Sequence, residues 1–166
     1  MVLPRSLLVS VCHQLRQQGK RIVFTNGCFD LLHLGHLYYL ERARRLGDVL
    51  VVGVNTDASV RRLKGERRPL RSQDERAALL AALKPVDFVT LFDEDTPEAL
   101  IAELHPDVLV KGGDYTPEHI AGADLVRSWG GTVVVIPYLQ GYSTTGVVEE
   151  ILRRYRSEPW RPGMNH

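Results

Sequence analysis

Apolar positions along this chain keep two rhythms. Short unbroken runs of β-branched and large apolar residues stand at Ile22–Thr25, Val49–Val54, Phe88–Phe92, Val108–Lys111 and Thr132–Ile136. Runs of that length and composition predict strands buried on both faces. Between them the apolar residues recur about every 3.6 positions. This predicts helices over Ser6–Gln18, closed by Gly19, and over Leu34–Leu46, where Leu37, Leu40, Ala43 and Leu46 share a face and Gly47 ends the run. A third helix follows over Gln73–Leu83, with Ser72 and Glu75 spaced as a capping box. Thr96 and Pro97 start another that runs to Leu104. Two more cover Ala121–Trp129 and a stretch from Ser143 or Thr144 to about Arg154. Asn55–Ser72 reads as a polar stretch, and Ser157–His166, with two prolines and a glycine, as a loose tail.

Strands alternating with helices predict an α/β fold: a Rossmann-like, doubly wound, five-stranded parallel sheet with right-handed crossovers. In such sheets ligands sit outside the C-terminal strand ends, where the strand order reverses. The expected organisation is an N-terminal helical extension over 1–19, one domain over 20–156 and the tail over 157–166. A chain of 166 residues fits one hydrophobic core and is short for two.

Composition narrows the function classes. No apolar run approaches 18 residues, which argues against a transmembrane span and a membrane partner, and the first residues make a poor signal peptide. The expected compartment is the cytoplasm. Cys12 and Cys28 could form at most one disulfide and match no thiolate metal pattern. A formal net charge of +1 gives no support to a nucleic-acid partner. Position qualifies that balance: Arg61–Arg76 holds seven basic residues against three acidic ones. Such a local patch suits a small anion, or is simply a solvated loop.

The richest stretch runs from Thr25 to His36, from the end of the first strand into the first long helix. Gly27 permits a tight turn. His33 and His36, three apart, can share one side of a helix start, where unpaired N–H groups and the helix dipole favour phosphate. A surface pair or a structural cap would show the same spacing. A zinc site lacks a standard third ligand in Asp30 or Cys28. Gly35 leaves room for a flat base or a ribose.

Gly27-Cys28-Phe29-Asp30 followed by His33-Leu34-Gly35-His36 resembles the signature of the nucleotidyltransferase superfamily that includes cytidylyltransferases and pantetheine-phosphate adenylyltransferase. Val110-Lys111-Gly112-Gly113-Asp114-Tyr115, Gly141-Tyr142-Ser143-Thr144-Thr145, Asn55-Thr56-Asp57 and Lys64-Gly65 are similar to its branch that adenylylates D-glycero-β-D-manno-heptose 1-phosphate. The likeness covers about Lys20 to Arg154. In that branch the domain is often fused behind a sugar kinase; a free-standing version is the expectation here.

The resemblance implies transfer of AMP from ATP to the sugar 1-phosphate with release of pyrophosphate. Other acceptors (glycerol 3-phosphate with CTP, another sugar 1-phosphate, FMN) and a non-catalytic nucleotide-binding regulator are the alternatives. It implies catalytic roles for His33, His36, Lys64 and Lys111. It places Thr25, Asn26, Gly27, Cys28, Phe29, Gly35, Gly112, Tyr142, Ser143 and Thr144 at the nucleotide. Beside these, Asp30, Asp57, Lys64, Arg76 and Asp114 are the expected sugar-phosphate residues: Asp30 and Asp57 suit its hydroxyls or a magnesium shell, Arg76 the sugar phosphate or ATP, and Asp114 sugar hydroxyls or a bond to Lys111. Ser143 and Thr144 could equally be ordinary helix caps, and Asp57 a turn cap. Lys64 would reach the site from a flexible loop. Asp93-Glu94-Asp95 is expected to favour a helix N-terminus electrostatically rather than to act in chemistry. Magnesium is implied with ATP, without a visible carboxylate cage, and so is a homodimer.

Overall fold

The computed structural model describes residues 1–113, 120–137 and 139–156. Five strands form one sheet: β1 (Ile22–Gly27), β2 (Val49–Asn55), β3 (Phe88–Phe92), β4 (Val108–Gly112) and β5 (Thr132–Ile136). All neighbours pair in parallel, in the order β3-β2-β1-β4-β5. The chain therefore winds outward from β1 to one edge, then returns to β4 and winds to the other. The reversal point lies between β1 and β4.

Helices cover both faces. Side chains alternate along β1, so Val23 joins one core cluster while Ile22 and Phe24 join the other. The first cluster lies under α2 (Leu34–Arg44) and α4 (Gln73–Ala81), through Tyr39, Leu40, Ala43, Ala77 and Leu80. The second lies under α1 (Arg5–Gln17), α5 (Glu98–Leu104) and α6 (Ala123–Ser128), through Leu8, Cys12, Leu100, Ile101, Leu104 and Val126. The expected strands and six helices are present, with ends shifted by a few residues. Ser72 and Glu75 form the reciprocal capping box at the start of α4. Thr96 does not cap α5; Pro97 precedes its first turn, and the Thr96 hydroxyl donates to Glu98.

Three features depart from the sequence reading. The polar stretch after β2 contains a helix, α3 (Asp57–Lys64), whose N-cap Thr56 accepts a hydrogen bond from Ser59 N–H. It is only eight residues long with three apolar side chains, Ala58, Val60 and Leu63, in an otherwise polar stretch, and is too short a run to set apart. Lys64 is thus the last residue of a helix, not part of a flexible loop. Residues 1–19, set apart as an extension, pack onto the sheet: Val2 bridges Val89 in parallel, and Leu8 and Cys12 are fully buried. Finally, Asp93-Glu94-Asp95 does more than precede a helix. Glu94 pairs with Arg5, and Asp93 and Asp95 pair with Arg62. The tail over 157–166 lies outside the described residues.

Candidate active site

At the reversal point the sheet opens. β1 and β4 share only the register pairs Val23–Val108 and Phe24–Leu109. Beyond these, the Tyr39 hydroxyl sits between the strands, bonded to the Thr25 hydroxyl and donating to Val110 C=O at 3.1 Å. The diverging strand ends form the floor of a cavity of about 1080 Å³. This is the size expected of a site for a nucleotide with a second small substrate.

Two helix N-termini face this space. His33 is the N-cap of α2 in extended conformation. Ser143 caps α7 (Thr144–Tyr155), its Oγ accepting from Gly146 N–H at 2.9 Å. The predicted capping role is therefore real, and it coexists with a place on the cavity wall beside Tyr142 and Thr144. Both N-termini bring partial positive charge to one cavity.

The two imidazoles stack, with ring centroids 3.9 Å apart and planes 24° from parallel. Burial holds the His33 pKa below its ordinary value. His36 is pushed down to about 4, first by burial and then by the neighbouring His33. Both rings are thus neutral at pH 7, which removes the repulsion that two stacked imidazolium ions would have. Nδ1 of each ring is buried without a hydrogen-bond partner among the described residues. Carrying the proton on Nε2 leaves an unpaired acceptor there instead of an unpaired donor, and it makes Nε2–H the donor available to a ligand. Phe29, at φ 49°, turns the chain sharply so that its ring lies 5.3 Å from His36 and against Gly27. A Cβ on Gly27 would meet that ring at 3.1 Å. Gly35 proves to serve a close approach of protein to protein. A Cβ there would stand 2.9 Å from His33 Nδ1 and 3.1 Å from Tyr142 Cβ, and Gly35 also lines the cavity.

Lys111 rises from the end of β4 with its Nζ 3.4 Å from Asn26 Oδ1 across the reversal point. It has no carboxylate partner among the described residues. Burial, with a smaller contribution from Lys64, lowers its pKa, while the Cys28 thiol opposes the shift. A half-buried ammonium paired only with an amide oxygen is a site built to receive an anion. Cys28 is also half-buried and its thiol is pushed up by burial, against the pull of Lys64, Arg76 and Lys111. It is a wall residue kept protonated.

The cavity brings together Asn26, Gly27, Cys28, Phe29, Asp30, His33, Gly35, His36, Lys64, Lys111, Gly112, Tyr142, Ser143 and Thr144. It omits three residues expected at ligands. Thr25 is fully buried beneath the floor with its hydroxyl on Tyr39. Arg76 is 1% exposed, and its guanidinium donates to Arg71 C=O, Cys28 C=O, Asn55 C=O and the Asp57 carboxylate. Asp57 is thereby tied to Arg76. Arg76 is thus engaged as an internal strut, with Asp57 Oδ1 among its partners. Asp114 lies outside the described residues.

The basic stretch is largely neutralised in three dimensions. Arg62 pairs with Asp93 and Asp95, Arg68 with Asp30, Arg71 with Glu75 and Arg76 with Asp57. Arg61, Lys64 and Arg67 have no ion-pair partner among the described residues, and of these Lys64 lines the cavity. Asn55 and Arg68, given no specific site role from sequence, also line it, as do Asp95, Thr96 and Gln140, which the sequence reading missed as site residues. They come from other strand ends and loops, which only the sheet order brings together.

No group of three or more potential metal ligands occurs among the described residues. The Asp30 carboxylate, nearest the signature histidines in sequence, already accepts from Arg68 Nη1, Leu70 N–H and Arg71 N–H. The donor set therefore does not fit a protein cage for magnesium.

An open α/β sheet, a crevice at its reversal point, paired neutral histidines on a helix start and unneutralised lysines define a nucleotidyltransferase domain. Comparison with known proteins agrees. The family profile described as cytidylyltransferase-like matches residues 24–150, and the chain belongs to that family. It is 57% identical over 154 residues to the bifunctional protein HldE of Trichlorobacter lovleyi, covering 93% of this chain and 31% of that protein. It is 60% identical over 151 residues to HldE of Syntrophotalea carbinolica, covering 91% of this chain and 31% of the relative. The chain thus spans about a third of these relatives' length. Among solved structures, a lipopolysaccharide core biosynthesis protein from Thermoplasma volcanium superposes with a TM-score of 0.59 at 34% identity, over 75% of this chain and all of that one.

Proposed function

We propose that this domain transfers the adenylyl group of ATP to D-glycero-β-D-manno-heptose 1-phosphate, giving ADP-heptose and pyrophosphate. A phosphate oxygen of the sugar attacks the α-phosphorus of ATP in line. The bond from that phosphorus to the oxygen bridging to the β-phosphorus breaks, and pyrophosphate leaves with the electron pair. The attacking oxygen is already anionic, so no protein nucleophile or general base is required. What the protein must supply is alignment and compensation of charge. His33 and His36 donate from neutral imidazoles to phosphate oxygens, Lys111 and Lys64 bring positive charge, and the start of α7 with Ser143 and Thr144 receives the leaving phosphates. Magnesium accompanying ATP would screen phosphate charge, without a protein cage among the described residues.

The single observation that carries this reading is Lys111, a half-buried ammonium without a carboxylate partner among the described residues, lining the same cavity as the stacked histidines. The choice of ATP and heptose phosphate rests on the motif resemblance and on relatives named as HldE and as a lipopolysaccharide core biosynthesis protein. The test is pyrophosphate release with ATP or CTP crossed against heptose 1-phosphate, glycerol 3-phosphate, other sugar 1-phosphates and FMN. Turnover is expected with ATP and heptose 1-phosphate. Turnover only with CTP and glycerol 3-phosphate would overturn the assignment.

The working form is a homodimer in the cytoplasm. Supporting this, α7 has no buried residue and exposes Val147, Ile151, Leu152 and Tyr155 along one stripe. A helix of 12 residues is marginal on its own in water. No helix among the described residues is long and apolar enough to cross a membrane.

A further inference from the structure

Asp30 follows the signature turn directly, yet its carboxylate is turned away from open solvent at 7% exposure. Oδ2 accepts from Arg68 Nη1 at 2.6 Å. Oδ1 accepts from the backbone N–H of Leu70 at 2.6 Å and of Arg71 at 3.1 Å. Both oxygens are thus committed to one segment about forty residues further on. The same segment is gripped a second time. Arg76 donates from Nε to Arg71 C=O and from Nη1 to Cys28 C=O, tying it again to the loop after β1. Within the segment, Arg68 N–H closes a turn onto Gly65 C=O at 3.0 Å, directly after Lys64. A carboxylate beside a site for several phosphates would repel them if it were free. Here a guanidinium and two amides compensate it, and Arg68 and Lys64 stand with it on the cavity wall.

We propose that Asp30 is a positioning residue: it clasps the 68–71 segment to the first-strand loop and so sets Arg68 and Lys64 on the wall that meets the acceptor phosphate. Its role is positioning rather than direct contact with a sugar hydroxyl or magnesium, because all three bonds it makes run to residues 68–71. The kinetic part of this inference rests on the proposed acceptor; the conformational part does not.

Asp30→Asn keeps the shape, removes the charge and turns an amide NH2 towards either Arg68 or the two backbone donors. Trypsin digestion of the substrate-free protein should cut after Lys64, Arg67 or Arg71 at least fivefold faster in Asp30→Asn than in the wild type. Arg68→Ala, at a partly exposed site, should show the same acceleration after Lys64 or Arg71 and covers the case in which Asp30→Asn does not fold. In the transfer assay, Asp30→Asn should raise KM for the sugar phosphate about tenfold while the Kd for ATP stays within twofold. The Asp30→Asn/Arg68→Ala double variant should be no worse than Arg68→Ala alone.

Unchanged digestion in both single variants overturns the clasp. Multiplying effects in the double variant mean that Asp30 touches substrate independently, which also overturns the inference. So does a rise in the magnesium concentration for half-maximal rate with an unchanged KM for the sugar phosphate. A wild-type protein without transferase activity refutes the proposed function and leaves the digestion result to decide the clasp.

Discussion

Replacing Arg76 by methionine separates a structural from a substrate-binding arginine. The side chain is fully buried and makes four charge-assisted hydrogen bonds: to the carbonyls of Arg71, Cys28 and Asn55, and to Asp57 at 2.7 Å. Methionine fills most of the volume and buries well, so the cost lies in the orphaned acceptors. Each of three carbonyls loses a partner at about 1 kcal/mol. Asp57 loses its counter-ion, but its side chain is 24% exposed and water softens that loss to about another 1 kcal/mol. The expected destabilisation is about 4 kcal/mol, a large share of an ordinary domain's stability of about 5–15 kcal/mol. With a urea slope of about 2 kcal/mol per M, the unfolding midpoint should fall by about 2 M. Arg76→Lys should recover less than half of this, because one ammonium cannot span four acceptors. Equilibrium unfolding followed by circular dichroism, with steady-state kinetics on the folded fraction, checks both sides. A midpoint shift below about 0.5 M together with a tenfold rise in KM for the sugar phosphate would refute the reasoning and return Arg76 to the substrate.

Three further perturbations probe the site. The unfolded state takes up a proton on His36 near pH 6.5, whereas burial delays this to about pH 4 in the folded state, so stability should fall as pH drops through that window, by about 3 kcal/mol in all; a His36→Gln variant with the same urea-midpoint profile against pH as the wild type would contradict this. Gly35→Ala should leave the thermal midpoint nearly unchanged, since alanine favours a helix, yet drive His33 and Tyr142 apart and lower kcat/KM about a hundredfold, and normal turnover would show that the contact is not needed. Lys111→Met should lower kcat/KM by about a hundredfold or more while unfolding stability holds or rises, because a half-buried charge without a carboxylate partner among the described residues is removed; parallel losses of both would make Lys111 structural.

Local patterns reached far in this chain. Unbroken apolar runs marked all five strands, because a sheet covered on both faces demands apolar residues at every position, and that demand is written locally. The same held for the α4 capping box and for the signature from Gly27 to His36, where turn, helix start and paired imidazoles lie within one short segment. Helix α3 escaped because it is only eight residues long and carries few apolar residues in a polar stretch. What the ionisable residues do was not legible, since it depends on partners remote in sequence. Asp30 and Arg76 look like ligand residues beside a phosphate motif, but Asp30 meets residues 68–71 and Arg76 meets Cys28, Asn55 and Asp57. The basic run from Arg61 to Arg76 looks like a patch until Asp93, Asp95, Asp30, Glu75 and Asp57 neutralise most of it.

The sequence by itself therefore determined the class of fold, the strand ends that carry chemistry and the likeness to nucleotidyltransferases. Each of these follows from short-range pattern. The sheet order decided the rest. By setting β1 beside β4, it made a crevice and brought Lys111 to Asn26. It also gave two charged candidates remote partners, Arg68 for Asp30 and Asp57 for Arg76, because burying a charge without partners is costly.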